Sequence, residues 1–312
     1  VKLKNLKKLK ITMYHTLKDQ ITWIDIMSPT EDDFTFLRKN FPLHPITLKE
    51  LKGASARSKV ELHNKYLYLA MHFPMWDENH QIGQPWEIDM VIFKDTVITL
   101  SYQEIEAHQE LMEKTYQKDF EYYLSNTAIL LNFILNHYLA DTRHQLARLE
   151  KNLKTIEEDI FKGKQQEIIS ALSITKRDIL NFRLISRYLA EEMCSLNRNG
   201  SRFLDESAEI YLGDIEGEAT SIENLIENIK DTADSLESTN NSLLEQKINS
   251  LTKVFTVISF IGWPTLLIIS SYQMNVRFLP LIGLPYDYFI ILGIAFLPSL
   301  ILYIYLKIKK ML

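Results

Sequence analysis

Two uncharged runs close the sequence, Val254–Tyr272 and Tyr288–Leu306. Each is the length of a helix that crosses a hydrocarbon core of about 30 Å. Only Gln273–Asp287 separates them, so the two spans are expected to form an antiparallel hairpin with both ends on one side of the membrane. Upstream the pattern is that of a water-soluble domain. Ile21–Ile26 alternates apolar and polar positions as a strand does, and Ser28-Pro29-Thr30-Glu31-Asp32-Asp33 opens a helix, with proline early and acids in the first turn. His44-Pro45 opens a short second helix through Leu51. Val60–Phe73 and Ile88–Leu100 read as strands, with a turn at Lys94-Asp95. These elements predict an α/β layer domain with mixed strand pairing. After Ser101 the strand signals stop. Residues 125–162 and 165–198 read as two long helices with charged outer faces, and Asn199-Gly200 reads as a helix stop.

From about Arg202 the helical pattern continues to Tyr272, about 70 residues or 100 Å at 1.5 Å each. A lone helix of that length has little to bury, so it is expected to pack against copies of itself. Asn249, Thr252, Thr256, Ser259, Trp263, Leu266 and Ser270 recur at alternating steps of three and four, the period of a left-handed supercoiled bundle. The seam carries hydroxyls and an amide, and its flanks (Val254, Val257, Ile258, Ile261, Leu267, Ile268) are apolar. The flanks are expected to face lipid, and the seam protein or water.

Charge sharpens the topology. Lys2, Lys4, Lys7, Lys8 and Lys10 are followed by no apolar run, so a signal peptide is not expected. Lys247 and Lys253 precede the first span, Lys307, Lys309 and Lys310 follow the second, and the connection has only Arg277 and Asp287. The positive-inside rule therefore sets the large domain and both termini in the cytoplasm. With 35 basic against 40 acidic residues, a net charge of −5, no basic field points to nucleic acid. The single cysteine, Cys194, suits a reducing compartment. The nine glycines form no phosphate-binding loop, and no nucleophile–base constellation marks an enzyme. His137, Asp141 and His144 share one helix face, where such a trio can ligate a transition metal but more often faces solvent. Between Asp205 and Glu245 twelve carboxylates stand against Lys230 alone, either a solvated helix face or a field that gathers cations.

Tyr272-Gln273-Met274-Asn275 at the outer end of the first span resembles the Tyr-Gly-Met-Asn signature of the CorA-type divalent-cation channels. Trp263-Pro264 matches that family's apolar-Pro pair, and the tail Lys307-Ile308-Lys309-Lys310 fits it. So do Trp23-Ile24-Asp25-Ile26, Pro29-Thr30-Glu31-Asp32, Leu43-His44-Pro45 and Lys59-Val60-Glu61 upstream. The resemblance implies an α+β cytoplasmic domain (an α/β/α sandwich, residues 1–200), a stalk helix (201–252), a pore-lining span (253–272), an outer loop (273–287), a lipid-facing span (288–306) and a basic tail (307–312). It further implies a funnel-shaped homopentamer, multi-pass in the plasma (inner) membrane, that conducts Mg²⁺ inward down the membrane potential under control of cytosolic divalent cation.

In that picture five copies of Asn275, with Tyr272, Gln273 and Met274, form the selectivity filter. Amide oxygens accept hydrogen bonds from the tightly held water shell of Mg²⁺ without binding the ion too firmly to release it. Asn249, Thr252, Phe255, Thr256, Ser259, Trp263, Leu266 and Ser270 line the pore, with Trp263 and Leu266 as its narrow, dry part. Asp214 occupies the place of the family's inter-subunit regulatory metal ligand, although Gly217 stands where a second acid is usual. Mg²⁺ is thus both cargo and regulatory ion, with no organic cofactor. Gln273 replaces the signature glycine, and the loop bears Arg277 before any acid. These departures leave open a Co²⁺, Ni²⁺ or Zn²⁺ transporter, as in the ZntB branch. The rival from another class is a membrane-anchored coiled-coil sensor or scaffold.

Overall fold

The computed structural model describes residues 13–16, 21–55, 57–77, 82–117, 119–162, 165–205, 207–274 and 280–309. Strands β1 (Met13–Thr16) and β2 (Thr22–Met27) are followed by helices α1 (Glu31–Asn40) and α2 (Pro45–Glu50), then by strands β3 (Lys59–Leu62), β4 (Leu67–Asp77), β5 (Ile82–Ile92) and β6 (Thr96–Ser101). Helices α3 (Glu106–Lys114), α4 (Phe120–Tyr123), α5 (Thr127–Lys162), α6 (Gln165–Ser186), α7 (Leu189–Phe203), α8 (Ala208–Tyr272) and α9 (Asp287–Ile308) complete the chain. Packing divides it into two units, Val1–Leu236 and Glu237–Leu312, with the division inside α8.

In the first unit one six-stranded sheet runs in the order β1-β2-β6-β5-β4-β3. The β2–β6 pair is parallel and the others antiparallel, as the mixed-pairing expectation required. Alternate residues of each strand serve opposite faces. Ile24, Ile26, Tyr68, Ala70, Val91, Ile98 and Leu100 pack with Phe34, Leu37 and Leu51 from the α1–α2 side. On the other face the sheet meets α5 and α6. Because both faces are covered, β4 reads as a nearly continuous apolar run, Leu67 to Phe73, rather than as an alternation.

Helix α1 begins where expected. The Asp33 carboxylate accepts the Thr30 N–H at 2.8 Å and the Thr30 hydroxyl at 2.6 Å, tying down the first turn.

Three sequence expectations need correction. Val60–Phe73 is two strands, since the His63 N–H donates to the Tyr66 carbonyl (2.9 Å) and reverses the chain between them. The helix expected over 165–198 is two, α6 and α7. Asn199-Gly200 is no stop, because α7 continues to Phe203. Gly200 has a packing role instead: a Cβ there would lie 2.5 Å from Leu212 Cδ1.

A buried polar chain ties α3 and α5 to the sheet. The Trp23 indole donates to Thr99 Oγ1 (3.0 Å), whose hydroxyl donates to Asp25 (2.5 Å). His108 bridges Asp25 (3.2 Å) and the Tyr138 hydroxyl (2.8 Å). Each member is at most 2% exposed, so each polar group has its partner inside the protein.

In the second unit the C-terminal part of α8 lies against α9. Both helices are long and apolar enough to cross a membrane.

Candidate functional site

Which side of α8 meets α9 decides what its seam is free to do. Val257 is buried at 9% exposure, and Ile261, Pro264, Thr265 and Ile268 are half-buried. Opposite them on α9 are Ala295 (0%) and Ser299 (6%). Asn249, Thr252, Phe255, Thr256, Ser259, Trp263, Leu266 and Ser270 are all exposed. At 3.6 residues per turn the periodic seam and the α9-facing set are centred on opposite sides of α8. The expectation that the flanks meet lipid is therefore corrected in part. Val257, Ile261 and Ile268 meet α9 instead, whereas Val254, Ile258 and Leu267 are exposed.

The Thr256 hydroxyl donates to the Thr252 carbonyl one turn back (2.8 Å), so its proton is used and its oxygen lone pairs are turned outward. Trp263 and Leu266, 68% and 61% exposed, are the large apolar members. At the positions expected to form the filter, α8 closes with tight turns, Gln273 N–H to the Ser270 carbonyl (3.2 Å) and Met274 N–H to the Ser271 carbonyl (3.3 Å). Tyr272 is half-buried, and Gln273 and Met274 are exposed. Asn275 and Arg277 lie outside the described residues.

Asp214 is in the first unit, exposed on α8. Asn132 and Asn136, one turn apart on α5, donate to its Oδ2 at 2.9 and 2.7 Å, and Asn132 also donates to the Tyr211 carbonyl (3.0 Å). The amides orient the carboxylate without neutralising it. The surrounding acids are less free than the sequence suggested. Glu218 pairs with Arg143 (2.7 Å), Asp234 with Lys176 (2.6 Å) and Glu227 with Arg183, while Glu216 accepts from Asn197 (2.8 Å). Hydrogen bonding to Glu218 raises the Arg143 pKa above its usual range. These pairs fasten α8 to α5, α6 and α7, a role that helical periodicity alone does not reveal.

The His137–Asp141–His144 trio is not a metal site. The His137 Nε2–H donates to the Ala107 carbonyl (2.7 Å), and Lys114 donates to Nδ1 (2.9 Å), so neither ring nitrogen is free for a metal. Burial, aided by the Lys114 charge, lowers the His137 pKa. Among the described residues no three His, Cys, Asp or Glu side chains are grouped to hold a metal ion. Sequence reasoning missed Thr265 and Ser299, which hydrogen-bond to each other between α8 and α9 (2.7 Å). Their signal was a hydroxyl residue directly after the proline of each span.

With this geometry established, similarity to known proteins is informative. A family model described as CorA-like Mg²⁺ transporter protein matches residues 18–310. The cobalt/magnesium transport protein CorA of Thermotoga maritima is 21% identical over 290 residues, covering 93% of this chain and 83% of its own. The complete structure of the CorA magnesium transporter from Methanocaldococcus jannaschii superposes with a TM-score of 0.77 at 18% identity, over 94% of this chain and 92% of that one. Full-length CmaX gives 0.72 at 14% identity, over 96% and 92%. At such identities the structural likeness is one of fold, and it includes the α/β domain, the long helix and the two apolar C-terminal helices.

Proposed function

The chain belongs to the CorA-like Mg²⁺ transporter family, and from that premise we propose that copies of it enclose a pore for Mg²⁺, lined by the seam of α8. It is a divalent-cation transporter and not an enzyme. The observation that carries the proposal is the exposed face of α8 opposite α9, whose hydroxyls and amide have no place against lipid. Further copies of that face, assembled as a homopentamer, supply its partner. Thr252, Thr256, Ser259 and Asn249 accept hydrogen bonds from the water shell of the ion, and Asn275 provides the amide collar at the outer mouth. Trp263 and Leu266 form the narrow stretch, Phe255 lines the pore on its inner side, and Ser270 lies between the narrow stretch and the collar.

The ion moves inward down the membrane potential, which supplies about 4.6 kcal/mol per divalent ion across 100 mV. Both termini and the α/β domain lie in the cytoplasm. There Mg²⁺ at Asp214, held between subunits, keeps the pore shut when the cell is replete. Asp214 suits this role as an exposed carboxylate oriented by two neutral amides.

Purified protein in liposomes, challenged in turn with Mg²⁺, Co²⁺, Ni²⁺ and Zn²⁺, tests the proposal. Mg²⁺ uptake that rises with the imposed potential and drops at least tenfold in Asn275→Ala is expected. Preference for Zn²⁺, Co²⁺ or Ni²⁺ would reassign the cargo, and no uptake of any ion would leave the scaffold.

A further inference from the structure

Pro264 lies inside α8 and Pro298 inside α9. A proline within a helix removes the N–H that would reach the carbonyl four residues back and crowds that carbonyl with its ring, so the turn before it is weakened. Beside each weakened turn, each helix supplies a hydroxyl donor to a carbonyl of the other. Ser299, the residue after Pro298, donates its hydroxyl to the Ile261 carbonyl, three residues before Pro264. Thr265, the residue after Pro264, donates towards the Ala295 carbonyl (3.0 Å), three residues before Pro298. The two hydroxyl oxygens are 2.7 Å apart. Since the single Ser299 proton goes to Ile261, Ser299 Oγ is the acceptor in that contact, and the Thr265 proton is shared between Ser299 and Ala295. The arrangement is reciprocal and directional, and it is sealed between the helices, where Ala295 and Ser299 are 0% and 6% exposed.

Trp263 and Leu266 bracket Pro264-Thr265 in sequence but lie on the exposed side of α8. The rotational setting of α8 at Pro264 therefore sets where both apolar side chains point. We propose that Thr265 and Ser299 are positioning residues for conduction: a reciprocal clasp that locks the two proline turns together, so that α8 cannot straighten or rotate there without carrying α9. The clasp keeps Trp263 and Leu266 aimed at the other copies, and the constriction stays shut until both helices move as one. This inference rests on the pore assignment above.

The test compares Thr265→Val and Ser299→Ala with the conservative Thr265→Ser and Ser299→Thr, all as full-length protein in liposomes. Loss of the clasp leaves the constriction leaky: Mg²⁺ flux against high internal Mg²⁺ is expected to rise fivefold or more. The external Mg²⁺ giving half-maximal flux stays within twofold, because the mouth is untouched. The double variant resembles either single one, as both break the same chain, and the conservative variants behave as wild type. Backbone hydrogen exchange over residues 261–269 reads the clasp without reference to flux, and should accelerate at least tenfold in Thr265→Val but not in Thr265→Ser. Wild-type inhibition together with wild-type exchange in the Val and Ala variants overturns the clasp. A wild-type protein that carries no ion overturns the pore assignment instead, and the exchange rates then decide the clasp alone.

Discussion

Asp89 gives the first unit a stability that falls as pH rises. Its side chain is 0% exposed. Burial above all, with help from the nearby Glu87 charge, raises its carboxyl to about 7 from an ordinary 3.8. The hydroxyls of Tyr102 (2.5 Å) and Tyr68 (3.2 Å) donate to it and oppose that rise, as does the charge of His72. The unfolded chain holds the Asp89 proton only below about pH 4, whereas the folded chain holds it to about pH 7. Folding therefore takes up a proton in that window and loses stability as the pH is raised through it. A separation of about three pH units corresponds to roughly 4 kcal/mol in full, at about 1.4 kcal/mol per unit. About 2 kcal/mol of it falls between pH 5.5 and 8.5, or roughly 4–8 °C in Tm for a unit of this size. The assay is thermal unfolding of the detergent-solubilised full chain at those two pH values, wild type beside Asp89→Asn. The Asn variant carries no titrating proton, so its Tm should fall less than that of wild type by that amount. Equal falls would refute the reasoning, because groups elsewhere cancel in the difference.

Two further outcomes follow from contacts described above. Asp214→Asn is expected to leave transport active at high internal Mg²⁺ while Tm changes by no more than a few degrees, since an amide oxygen still accepts from Asn132 and Asn136; retained inhibition in the flux assay would remove Asp214 from the gating account. Gly200→Ala brings a methyl to 2.5 Å from Leu212 Cδ1, and overpacking of about 1–3 kcal/mol outweighs the helix-propensity gain of up to about 1. A lower Tm by circular dichroism is expected, and a higher one would show that Leu212 yields freely.

Much of this architecture was legible in the sequence because strong, local signals carry it. Uncharged runs of membrane length, a proline and acids at the start of α1, and a 3.5-residue period in α8 all act through nearest neighbours along the chain. The sequence was less readable where tertiary contacts decide. Leu67–Phe73 is apolar on both faces because helices cover both sides of the sheet, so its alternation vanished and β4 merged with β3. Gly200 looked like a stop because a glycine chosen for close helix packing is indistinguishable from one chosen for a turn. His137 looked like a ligand because the Lys114 and Ala107 groups that occupy its nitrogens come from another helix. At the candidate site the periodic seam was visible from spacing alone, but which of its apolar neighbours meet α9 was not. That depends on Thr265 and Ser299, 34 positions apart, finding each other.

The central claim is that the seam of α8 borders water within the membrane while the outer side of α9 borders lipid. Single cysteines introduced into a Cys194→Ser background and probed with a membrane-impermeant, positively charged thiol reagent test it directly. Ser259→Cys is predicted to react, and to react more slowly when Mg²⁺ is present at the mouth. Leu297→Cys, exposed at 59% on α9, is predicted to stay inert. An inert thiol at 259 beside a reactive one at 297 would contradict the account.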